Sequence, residues 1–216
     1  MGRNLTLSVG EYYHVYRRGT EKRKIFIDKG DKERFVKLLY IANSTTSVHL
    51  SNFSGVSFED IPKGDSIVDI GSWCMMSNHF HLLLKEKVDG GISTFMKKLL
   101  TGYSMYFNKK YFRKGVLFEG RFSAKHLDYD QYLKYQFAYI HLNPIAIVDS
   151  GWKKKEIVDV GKAKEFLSTY KYSSYLDYLG EERQEGKIIN KKEFPDYFEN
   201  TIDFSEMMNE WINFTD

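Results

Sequence analysis

Two histidines one residue apart, in His79-Phe80-His81-Leu82-Leu83-Leu84, have types and spacing that suggest chemistry. Residues i and i+2 of a strand face the same way, so the two imidazoles stand side by side while Phe80 and Leu82 point into a core. Neutral imidazole suits several divalent metals. Two such groups chelate one ion if a third protein ligand and a water or substrate oxygen complete the sphere. The same spacing also fits two hydrogen-bonded strand histidines that bind nothing. A second constellation is Tyr139-Ile140-His141-Leu142-Asn143-Pro144. On a helix, Tyr139 and Asn143 share a face, which brings an amide oxygen beside a phenol and makes Asn143 the candidate third metal ligand. A phenol is a poor nucleophile at its ordinary pKa near ~10. It attacks when it is activated or when its electrophile is polarised. The plainer alternative is a core tyrosine followed by a helix cap. His14 and His126 fit either a place near the site or plain strand positions, and His141 faces away from Tyr139 on the helix; structural roles are favoured for all three.

These side chains need elements to position them. Glu11 to Arg18 reads as a first strand. Asp31 to Ala42 reads as a helix capped by Asp31, and Asn43 to Gly64 as a polar loop with room for a short strand. The apolar runs Ile67 to Met76 and Phe80 to Leu84, broken at Ser77-Asn78, predict a hairpin. Ile92, Phe95, Met96, Leu99, Leu100, Tyr103 and Phe107 follow helical spacing. Val116 to Phe118 and Phe122 to Leu127 are candidate short strands, and Asp130 to Leu142 predicts a helix ended by Pro144. Helical pieces follow at Ser173 to Leu179 and Phe204 to Phe214. The order implies an α+β fold with helices packed on an antiparallel sheet.

With 216 residues, 42% of them hydrophobic and 28% charged, the chain can bury a sizeable core. No run approaches the roughly 18 apolar residues of a membrane span, and the N-terminus lacks a leader pattern. Cys74 is the only cysteine, so no intrachain disulfide forms and a cytoplasmic setting is expected. The net charge of +3 is unevenly spread: Lys97 to Lys125 holds eight basic residues against Glu119, whereas Asp177 to Asp216 holds eleven acids against four bases. A basic middle suggests a polyanion-binding surface, and the acidic end a separate peripheral segment. Basic residues also interleave with aromatics in Tyr12-Tyr13-His14-Val15-Tyr16-Arg17-Arg18 and around Tyr106 to Arg113. That pattern suits stacking on unpaired bases, and equally a core rich in rings. Arg17, Arg18, Lys97, Lys109, Lys110, Arg113 and Arg121 are the candidate nucleic-acid-binding residues.

The stretch Trp73-Cys74-Met75-Met76-Ser77-Asn78-His79-Phe80-His81-Leu82-Leu83 resembles the single-tyrosine HUH transposases, as do Tyr139 to Pro144 and Tyr13-His14-Val15-Tyr16-Arg17-Arg18-Gly19. Among them it is most similar to the REP-associated tyrosine transposases, whose pattern Leu117 to Phe122 and Tyr172 to Gly180 also follow. Ser77 departs from it, standing where the family usually has proline. The resemblance implies a ferredoxin-like (RRM-like) sheet with helices on one face, a catalytic domain over residues 1–150, and a C-terminal helical extension with an acidic tail over 151–216. It implies His79 and His81 as metal ligands with Asn143 as the third, Mg2+ or Mn2+ as the ion, and Tyr139 as the nucleophile. The expected activity is cleavage and rejoining of single-stranded hairpin DNA through a 5′-phosphotyrosine, by a monomer or homodimer with the long tail favouring a monomer. A nucleic-acid-binding module with an idle metal pair, or a metal-dependent nuclease using water, are the alternatives.

Overall fold

The computed structural model describes residues 5–46, 55–152, 157–196 and 201–213. Four strands form one antiparallel sheet: β1 (Tyr12–Arg18), β2 (Val68–Met75), β3 (His79–Glu86) and β4 (Ser123–His126), in the order β2-β3-β1-β4. Helix α1 (Lys29–Ala42) joins β1 to β2, a tight turn joins β2 to β3, and α2 (Gly91–Lys110) joins β3 to β4. This is the ferredoxin-like α+β arrangement that the sequence led us to expect. Of the predicted Asn43 to Gly64 loop, positions 47–54 lie outside the described residues.

Strand alternation divides the sheet's residues between two cores. On one face Val15, Phe80, Leu82 and Leu84 meet Phe35 and Leu39 of α1 and Phe95, Leu99 and Tyr103 of α2, all fully buried. The periodicity read for α2 holds, with Tyr103 donating to the Ile25 carbonyl as a polar tie inside that layer. On the opposite face Cys74 and Leu83 meet α3 (Asp130–Leu142) through Phe137, Ala138 and Ile140. The helices expected on one face are thus α1 and α2, and α3 begins a second layer.

That second layer is completed by α4 (Val160–Thr169), the single turn α5 (Tyr175–Tyr178) and α6 (Thr201–Asn213). Phe204, Met208 and Ile212 of α6 are buried, and the Phe204 ring lies against Phe137 and His141 of α3. The acidic C-terminal stretch therefore includes a helix built into a core, with its charges on the outer side. His141 is structural, as expected: it is fully buried, Nδ1 meets the Phe137 carbonyl at 3.1 Å, and Nε2 meets Ser174 Oγ at 2.8 Å. Burial pushes its pKa down to about 3, so the ring stays neutral. Ser174 also bonds Trp73 N, and its own N–H donates to Trp73 O. Through it the Tyr172-Ser173-Ser174-Tyr175 motif ties the edge of β2 to α3.

Two local expectations change, and one candidate residue gains partners. The cap of α1 is Asp28, whose carboxylate accepts from Asp31 N, while Asp31 is the reciprocal partner three residues in. Val116 to Phe118 contributes one bridge, Gly19 to Phe118, instead of a strand. Lys110 is held by Asp28 at 2.7 Å and Asp31 at 2.8 Å. Asp31 is fully buried and accepts from Ile27 N, Asp28 N, Lys110, Tyr106 and Tyr111. Burial pushes its pKa up, but those donors outweigh it and the net shift is downward.

A folded Asp31 that titrates below its ordinary value of 3.8 stabilises the fold fully above that pH, and the contribution fades as pH falls through the lowered value. Asp31→Asn is expected to lower stability at neutral pH and to flatten the acid limb of the stability–pH curve, measured by urea unfolding from pH 7 to pH 3. An unchanged acid limb refutes the assignment. Phe204→Ala, which opens a cavity under α3, is expected to cost about 3–5 kcal/mol in the same assay.

Candidate active site

β3 and the facing strand carry the histidines. His79 and His81 project from the face of β3 opposite Phe80 and Leu82, with ring centroids 5.0 Å apart and planes at 86°. Their side chains share a cleft of about 550 Å³ with His14, Tyr16, Arg17 and Arg18 of β1, Glu119, Lys125 of β4, and Gln136, Tyr139 and Asn143 of α3. Tyr139 is half-buried, its ring 5.6 Å from His81 at 88° and 6.2 Å from His14 at 73°. Asn143 is buried one helical turn on, its Nδ2 3.5 Å from the Tyr139 carbonyl. The structure thus brings together the histidine pair, Tyr139, Asn143, Arg17 and Arg18.

Each histidine of the pair is oriented by a neighbour. Asn78 Nδ2 donates to the Lys22 carbonyl at 3.0 Å, which fixes the amide so that Oδ1 lies 2.6 Å from His79 Nδ1. His79 Nδ1 therefore carries the proton and its Nε2 carries the lone pair. The carbonyl that holds Asn78 belongs to a turn in which Glu21 and Lys22 have φ of 57° and 58°, a conformation uncommon for residues other than glycine. His81 Nδ1 is 2.8 Å from His14 Nε2, the two rings stacked at 5.0 Å. A metal on His81 Nε2 requires the proton on His81 Nδ1, donated to His14. The donor set fits a divalent ion: two imidazoles with Nδ1 engaged, and the Asn143 amide oxygen. Among the described residues no group of three His, Cys, Asp or Glu side chains offers metal-ligand geometry.

His14 is the residue that sequence reasoning underrated. Tyr16 pairs with His81 across the sheet and His14 with Leu83, so the register sets the His14 and His81 rings on one face. Gln136, one turn before Tyr139, was also missed. It is buried on the cleft side of α3, and its Nε2 has no hydrogen-bond partner among the described residues. His126 lies outside the cleft, paired with Glu11 at 2.7 Å.

The basic residues divide. Arg17 Nε is buried without a hydrogen-bond partner among the described residues, and burial pulls the Arg17 pKa down while Glu119 opposes it. Lys97 and Arg121 line a different cavity of about 680 Å³ with Leu5, Leu7 and Glu86. Arg113 lies over the Phe107 ring and Lys109 is exposed. Lys110, held by its two aspartates, has the charge a phosphate would compete for.

Comparison with known proteins adds to this geometry. The family model described as "Transposase IS200 like" matches residues 62–143, the segment that contains the histidine pair, Tyr139 and Asn143. A structure of the REP-associated tyrosine transposase bound to a REP hairpin superposes with a TM-score of 0.53 at 12% identity, covering 86% of this chain and 90% of that one, which shows a shared fold. A bacterial tRNA(His) guanylyltransferase-like protein in complex with ATP (TM-score 0.39, 13% identity, 91% and 80% covered) and the tRNA(His) guanylyltransferase of Saccharomyces cerevisiae (0.38, 12%, 93% and 87%) are weaker likenesses. No curated protein matches the sequence.

Removing an outer partner of a ligating histidine commonly weakens metal binding about 10- to 100-fold. Asn78→Ala and His14→Ala are each expected to weaken Mn2+ binding by that order, read as free Mn2+ by electron paramagnetic resonance. Mn2+ affinity that survives both substitutions contradicts the tethering described above.

Proposed function

We propose that this chain, which carries IS200-like transposase sequence over residues 62–143, cleaves and rejoins single-stranded hairpin DNA with Tyr139 as nucleophile. The observation that carries the reading is the Tyr139 ring 5.6 Å from His81 in one cleft with Arg17, Arg18 and Asn143. Residues 1–150 form the catalytic domain in this reading, and 151–216 an extension that supports it.

His79, His81 and Asn143 would hold Mg2+ or Mn2+, which supplies Lewis-acid polarisation of a phosphate and a template for its orientation. Arg17 and Arg18 bind the same phosphate, and a guanidinium matches its geometry in a way an ammonium does not. Tyr139 gives up its phenolic proton and Oη forms a bond to phosphorus. The P–O3′ bond breaks and the departing O3′ takes up a proton. Tyr139 is left esterified to a 5′-phosphate. One phosphate ester replaces another, so a 3′-hydroxyl can reverse the step and rejoin the strand. Half-burial of Tyr139 between His81, Tyr135 and Trp152 limits water access to that ester, which favours rejoining over hydrolysis.

The test uses labelled hairpin DNA with Mn2+ and a denaturing gel. Wild type is expected to form a covalent protein–DNA adduct that Tyr139→Phe abolishes, while Tyr139→Phe retains DNA binding that weakens steeply with salt. Cleavage surviving Tyr139→Phe would instead mark a nuclease using water, and binding without cleavage in either metal would mark a binding module.

A further inference from the structure

Phe112 stands where the rules of helix termination call for glycine. Helix α2 ends at Lys110, with Tyr111 as its cap. The Arg113 N–H then donates to the Asn108 carbonyl at 2.8 Å. That six-to-one bond closes the usual C-terminal turn, whose residue after the cap is left-handed and commonly glycine. Here the residue is Phe112, with φ of 49°. A side chain in that conformation is disfavoured, and packing offers no compensation, since Phe112 is 97% exposed. Gly115, three residues on, also has a positive φ and is a glycine. The ring is therefore held in water, by a strained backbone, at a site where its removal would stabilise the chain.

The surroundings indicate what the ring meets. Lys109 and Lys114 are exposed beside it and Arg113 is half-exposed, with no acid between Lys97 and Gly115. Asn108 Nδ2 donates to the Gly115 carbonyl at 2.9 Å and fixes the loop. The segment then continues through the Gly19–Phe118 bridge to Glu119 at the rim of the Tyr139 cleft. An exposed aromatic face in a basic, acid-free stretch of chain suits a flat, polyanion-linked ring, and base stacking is the interaction that tolerates any sequence. We propose that Phe112 is a stacking platform for an unpaired base of a nucleic acid whose backbone is held by Lys109, Arg113 and Lys114. This rests on the nucleic-acid reading of the cleft and adds the place where unpaired DNA is engaged outside it.

The test uses the full chain and DNA hairpins carrying 2-aminopurine in the loop or in a single-stranded flank, with blunt duplex as control. Phe112→Gly is expected to raise Tm by roughly 2–4 °C and to weaken hairpin binding roughly tenfold or more, as loss of one stacked base does. Quenching of 2-aminopurine should disappear, and blunt-duplex binding should not change. Phe112→Trp should restore both binding and quenching. Hairpin binding and quenching left intact in Phe112→Gly overturn the proposal. So does an equal loss on blunt duplex, or a concentration-dependent mass that only wild type shows, which would assign the ring to a second copy. Stacking needs no cleavage, so the two readings fail separately. Quenching without a Tyr139 adduct sinks the catalytic reading alone, and an adduct without Phe112-dependent quenching sinks this one alone.

Discussion

Two-residue alternation along β3 is the constraint on which the rest depends. One eight-residue strand (His79–Glu86) supplies Phe80, Leu82 and Leu84 to the core under α1 and α2, and His79 and His81 to the cleft on the other face. A register slip of one residue would exchange the two sets. It would bury imidazoles among Phe35 and Phe95 and expose a phenylalanine in the cleft. The core and the site are thus specified by the same hydrogen bonds. β3, like β1, is flanked on both sides, so neither can slip without breaking two ladders. The geometry of the histidine pair is inherited from the interior strands of the sheet.

Helix α3 carries the complementary burden. Gln136, Tyr139 and Asn143 line the cleft, while Phe137, Ile140 and His141 are fully buried against the sheet and the C-terminal elements. Neutral His141 ties the helix to Ser174 through Nε2, while the Phe137 carbonyl of the same helix holds its Nδ1 and so the ring's orientation. The tail completes this support. Phe204 covers His141 from the outside, and Trp211 meets Tyr135, which in turn stacks on Tyr139. Burial of α6 and placement of the phenol are consequences of one packed layer.

Much of this was readable in the sequence because it depends on local periods. The hairpin, the α2 face, the α3 span and the adjacency of Tyr139 and Asn143 all follow from spacings of two or of three to four residues. What was not readable depends on pairing between distant segments. His14 enters the site because β1 lies beside β3 in one particular register, and sixty-odd intervening residues carry no sign of it. Lys110 reads only as a candidate DNA-binding cation until α1 is laid next to the end of α2, where the Asp28–Asp31 box awaits it. Asp31 was misread as the cap because both members of this capping box are aspartates, and the sequence alone does not say at which of them the helix starts. The acidic tail read as peripheral because its charge is conspicuous and its few buried residues, Phe204, Met208 and Ile212, are not.

Left-handed backbone at non-glycine positions is confined, among the described residues, to one region. Among the described residues, the non-glycine positions with positive φ are Glu21, Lys22 and Phe112, and they lie in the two segments that meet at the Gly19–Phe118 bridge. Strain persists where surrounding structure over-determines it. Here the overdetermination is visible: Gly19 N binds Asn78 O, Thr20 N binds Leu117 O, and Ile25 N and Phe26 N both bind Ser77 O. Those bonds brace the turn that leads into His79. Ser77 in place of proline does not disturb them, because the contacts use its carbonyl and not its nitrogen. The Lys22 carbonyl that orients Asn78, and through it His79, is thus held by the same bridged edge from which the Phe112 loop departs. A chain that relaxed these turns would be more stable and would lose the tether on one histidine of the pair. The strained edge therefore belongs to the site, although it contributes no side chain to the chemistry.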